Sequence, residues 1–127
     1  MDATIMEQLQ TWRAEIEIEL SEAKQASADA AESVRTATFE RDVAHARIAV
    51  VRVAMSGLRS PLPSALTRRI EPLVRDVHSA DGAVARGAAI LTNARNLVAD
   101  LGDALEQLTR LIAPPPAEEE LAEELVA

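Results

Sequence analysis

His45 and His78 are the only histidines in this chain, and Asp42 and Asp81 each lie three residues from one of them. Three residues is near one helical turn, so each His and its Asp share a helix face. Two imidazoles and two carboxylates at similar heights are a donor set for a divalent cation. The competing reading is two solvated histidines, each beside an ordinary helical charge. It carries more weight, because the Glu-x-x-His ligand pairs of helical di-metal proteins are missing. Glu15, Glu17 and Glu19 form a second carboxylate group. Their alternate spacing turns successive side chains to different sides of a helix, which makes a solvated face and not a ligand set. There is no cysteine, so thiolate ligands, thiol nucleophiles and disulfides are excluded. No Gly-rich phosphate loop and no nucleophile–base constellation appears. The sequence therefore predicts a protein that is not an enzyme, with no cofactor, no bound metal and no small-molecule substrate.

The elements that carry these residues are legible from spacing. Hydrophobic residues make up 48% of the 127 residues, yet aromatics only 2%, and Ala, Leu, Glu, Arg and Val dominate, which is a helix-forming composition without strand character. Gly57, Pro61 and Pro63 punctuate the middle, and Pro114, Pro115 and Pro116 close the second half. Thr4-x-x-Glu7 reads as a capping box, and Gly57 as the left-handed residue that follows a helix end. These signals predict an all-α chain: an antiparallel helical hairpin over 1–113, with helix 1 at about 4–57, a turn at about 57–63 and helix 2 at about 64–113. Pro72 predicts a kink or a short preceding helical turn, and 114–127 a Pro-rich spacer with an acidic tail or short docking helix.

Leu66, Ile70, Leu73, Val77, Ala80, Val84, Gly87, Leu91, Ala94, Val98, Leu101, Leu105, Leu108 and Ile112 alternate steps of four and three, the seam of a coiled coil. On helix 1 the row Leu9, Ile16, Ala23, Ala30, Ala37, Ala44, Val51, Leu58 keeps a seven-residue step. Its companion row reads Ile5 and Trp12, then drifts by one to Leu20, Val34, Ile48 and Met55. Folding about residues 60–62 sets Ala30, Ala37 and Ala44 near Ala94, Gly87 and Ala80, so small side chains let two backbones approach. Helices of about 50 residues imply a hairpin roughly 75 Å long. A bent three- or four-helix monomer with breaks near Ser27, Gly82 or Gly87 is the competing fold.

Such a hairpin buries little, and Ala83, Ile90, Leu97, Ala104 and Leu111 form a further apolar stripe beside the helix 2 seam, joined near the tip by Val43, Val50 and Val53. The expected outcome is self-association toward a bundle, or recruitment into a larger protein assembly such as a virion, scaffold or secretion particle. In the acidic tail, Leu121, Leu125 and Val126 would share one side of a short docking helix. Arg52, Arg59, Arg68, Arg69 and Arg75 cluster near the turn and define an alternative, a tip that meets nucleic acid or another anionic partner. The net charge of −8 and the missing interleaved aromatics weigh against it. The acidic N-terminal stretch has no apolar signal region, and "IAVVRVAM" is too short to span a bilayer, so the expected location is cytoplasmic or particle-associated, with no membrane partner.

Overall fold

The computed structural model describes residues 2–112, and these form two helices with no strand among the described residues. Helix α1 spans Ala3–Ala54 and helix α2 spans Ser64–Ile112. Many contacts join them, and the chain is an all-α helical hairpin. Both run uninterrupted through Ser27, Gly82 and Gly87, so the bent multi-helix alternative is not adopted. Contact density divides the described residues into two units, 2–27 with 94–112, and 28–93.

Local chemistry sets the helix ends. Asp2, not Thr4, caps α1: its carbonyl accepts the Met6 N–H at 3.0 Å and its Oδ1 accepts the Thr4 N–H at 3.3 Å. At the other end α1 stops at Ala54 without a left-handed glycine. Tight backbone bonds, Ser56 N–H to Val53 O at 3.3 Å and Leu58 N–H to Met55 O at 3.0 Å, take up the last carbonyls instead. Ser56 Oγ donates a further bond to the Val53 carbonyl at 2.8 Å. Gly57 therefore has no positive φ, and Leu58, expected as the last seam residue, is exposed beyond the helix end. The linking segment includes a cis Ser60–Pro61 bond, and the Pro63 carbonyl receives the first bonds of α2, from Leu66 and Thr67. Pro72 lies inside α2, which continues through it as a single helix, with no separate helical turn before it.

In the unit of residues 2–27 and 94–112, the buried side chains are Leu9, Ala23 and Leu101. Met6, Arg13, Ile16 and Leu20 are half-buried beside them. Trp12 and Ile5, expected in the companion row, are exposed at 47% and 51%. The row runs one residue later from the start, through Met6, Arg13 and Leu20, so the stripe keeps a strict seven-residue step and does not drift. Arg13 fits this row because its aliphatic stem covers apolar surface while its charge reaches water. Gly102 sits in the interior of α2 with nothing within 4 Å of where a Cβ would stand. Gly102→Ala is expected to stabilise the fold by about 0.5–1 kcal/mol, through helix propensity and a less mobile unfolded chain. A urea titration at fixed concentration checks it.

In the unit of residues 28–93, Ala30, Ala44, Ile48 and Leu91 are buried. A Cβ on Gly87 would stand 3.2 Å from Val34 Cγ2 and 3.9 Å from Val34 Cα. Here the two helix backbones come together because neither Gly87 nor its alanine neighbours hold them apart. All fourteen seam positions of α2 are buried or half-buried.

Candidate association surface

The histidines divide. His45 Nε2 lies 2.9 Å from Asp81 Oδ1, a hydrogen bond across the hairpin with both side chains about half exposed. An exposed pair of this kind contributes roughly 0–1 kcal/mol. Asp42 instead meets Arg41 at 3.4 Å, so it is not gathered with His45 and Asp81. Among the described residues, no group of three His, Asp or Glu stands close enough together to hold a metal ion.

The arginines near the turn are all exposed. Three of them are used locally. Arg69 donates to the Ala65 carbonyl at 2.8 Å, Arg68 to the Ser64 carbonyl at 3.4 Å, and Arg75 pairs with Glu71 at 3.5 Å. Arg52 and Arg59 have no ion pair among the described residues. The stripe beside the α2 seam splits by size: Ala83 and Ala104 are half-buried, while Ile90, Leu97 and Leu111 are exposed at 61%, 50% and 56%. Leu121, Leu125 and Val126 lie outside the described residues.

A more continuous surface lies on the outer side of α1 in the 28–93 unit. Phe39, Val50 and Val53 are 70%, 68% and 75% exposed. With Val43 and Ala46 they recur at steps of four, three, four and three, the spacing of a second seam turned away from the buried one. Val43, Val50 and Val53 are the part of the series that sequence spacing marks near the tip; Phe39 and Ala46 complete it, and Phe39 at its start is the signal that extends it. Shallow grooves flank the stripe. One of about 350 Å³ is lined by Phe39, Glu40, Val43, Arg47, Asp76 and Ala83, among others. A second, of about 520 Å³, is lined by Val43, Ala46, Val50, Val51 and Leu73, with Arg47 as its one charged residue.

The fold and this surface define a class, the all-α helical hairpin with an apolar face exposed among the described residues. Set against protein-family models, curated proteins and solved structures, the chain matches none. No helix among the described residues is long and apolar enough to cross a membrane.

Proposed function

We propose that this chain is a non-enzymatic structural or adaptor protein, a helical hairpin that works by associating with further helices, its own copies foremost, as a component of a larger assembly. One observation carries the reading. Among the described residues the buried core comprises Leu9, Ala23, Ala30, Ala44, Ile48, Leu91 and Leu101, while eleven large hydrophobic residues stay exposed. Burial of apolar surface is the dominant favourable term in folding and association, and ordering each residue costs about 1–2 kcal/mol. A hairpin with seven buried side chains, three of them alanines, gains little to offset that cost. Covering Phe39, Val50, Val53, Ile90, Leu97 and Leu111 against other helices supplies the missing burial. Association with nucleic acid through the arginines near the turn has less support, because Arg68, Arg69 and Arg75 already have local partners.

Size-exclusion chromatography with light scattering tests the reading. The expected result is a mass of two or more chains at tens of micromolar, falling on dilution. The mass of a single chain at every concentration would remove the self-association part of the proposal.

A further inference from the structure

The outer stripe of α1 carries its own charge code. Numbered as a heptad seam, Phe39, Ala46 and Val53 take the d positions and Val43 and Val50 the a positions. Glu40 and Arg47 then take successive e positions, flanking the stripe on the side of the 350 Å³ groove. Neither has an ion pair or hydrogen bond among the described residues, whereas Arg35 on the same helix holds Glu32, and Asp42 holds Arg41. One negative and one positive side chain, seven residues apart and both unpaired, match a second copy of the same helix running the other way. In an antiparallel coiled coil, e positions face e positions. Glu40 of each chain then meets Arg47 of the other, twice, about a two-fold axis between residues 44 and 45.

We propose that the stripe Phe39–Val43–Ala46–Val50–Val53 is a homodimer seam, on which α1 of a second copy docks antiparallel with Glu40 and Arg47 paired reciprocally. The proposal rests on the self-association reading above and names its surface and geometry. Side-chain volumes agree with the register. The layers are Phe39 with Val50 and Val43 with Ala46, each repeated by symmetry, so the largest and smallest members each face a valine. A parallel, in-register pair would stack Phe39 on Phe39 and Ala46 on Ala46, alternating an overfilled layer with a void. Its flanking pairs would draw on Arg35 and Asp42, which already have partners within their own helix.

The test uses the full chain and two single reversals, Glu40→Arg and Arg47→Glu, both at exposed positions, with helicity checked by circular dichroism. In each variant alone, like charges face each other at both ends of the seam. Each is expected to dimerise roughly tenfold more weakly than the parent by sedimentation equilibrium, more so at low salt. An equimolar mixture of the two restores two attractive pairs and is expected to recover the parent's affinity as a heterodimer. Orientation has a separate readout, because the chain has no cysteine of its own. Val53→Cys chains should not cross-link to one another, since the two positions lie about 25 Å apart along an antiparallel pair. Mixed with Thr36→Cys they should cross-link readily, the two positions sharing a layer. A parent that oligomerises while the reversals and their mixture leave its mass unchanged overturns this seam and leaves self-association standing. Ready Val53→Cys self-cross-linking overturns the antiparallel register. Loss of the dimer on removing residues 114–127, with the reversals silent, makes the acidic tail the occupant and overturns the seam. A parent that is a single chain at all concentrations overturns both readings.

Discussion

Replacing Ile48 with alanine is expected to destabilise the fold by about 2–4 kcal/mol. Ile48 is 4% exposed, the most buried side chain among the core residues, and it belongs to the unit of residues 28–93, where the other buried members are Ala30, Ala44 and Leu91. Two of those are alanines, too short to reach into the space that the lost methyl groups leave. The penalty therefore combines lost transfer energy with a cavity that closes poorly. No side chain in the described structure is fully shut off from solvent, which holds the value toward the lower end of the range. The measurement is a denaturant or thermal titration, run at one low protein concentration so that association does not mask the change. Val50→Ala is the internal comparison. With Val50 68% exposed, the change should cost the single chain less than about 0.5 kcal/mol and act chiefly on the dimer. A loss below about 1 kcal/mol for Ile48→Ala would mean that the seam in this unit holds the fold less than its burial implies.

Pro72→Ala should act in the opposite direction. Pro72 is exposed and lies well inside α2, which begins at Ser64. Its ring nitrogen has no proton to give, so the Arg68 carbonyl loses its helical donor, and the ring crowds the preceding turn. In a helix interior that combination costs about 3 kcal/mol relative to alanine. Two effects reduce the gain from removing it. Proline stiffens the unfolded chain by about 0.4–1 kcal/mol, and an exposed carbonyl recovers part of its loss from water. A net stabilisation of about 1–2 kcal/mol is expected, seen as a higher denaturation midpoint with the slope unchanged. A destabilised Pro72→Ala protein would mean that the backbone shape imposed here is needed to seat the half-buried Leu73 and Val74.

Much of the fold was legible because one signal dominates it. An alternation of fours and threes from Leu66 to Ile112 has one economical solution, a helix with a single packed edge, and α2 adopts it across its full length. Finer features depended on competitions that spacing does not resolve. Asp2 and Thr4 are both good caps, and the carboxylate nearer the start took the role because it reaches the Thr4 N–H. Trp12 looked like a core residue by hydrophobicity alone, but the row beside Leu9 and Ile16 runs through Met6, Arg13 and Leu20, one position later, which turns the indole off the seam. The outer stripe was only partly visible, because its spacing is the same as that of the inner seam displaced by two residues. A helix apolar on two sides does not announce which side is inward. Only the three-dimensional partnership of α1 with α2 separates the two.

The position of Trp12 has a practical consequence for anyone following this chain in solution. It is the only tryptophan and there is no tyrosine, so near-ultraviolet absorbance and intrinsic fluorescence both come from one indole. That indole is 47% exposed and sits in the unit that holds Leu9, Ala23 and Leu101. Emission thus witnesses one neighbourhood, whereas far-ultraviolet dichroism sums both helices. Where the two curves part company during unfolding, the gap between them measures how independently the Ala28–Asn93 unit melts.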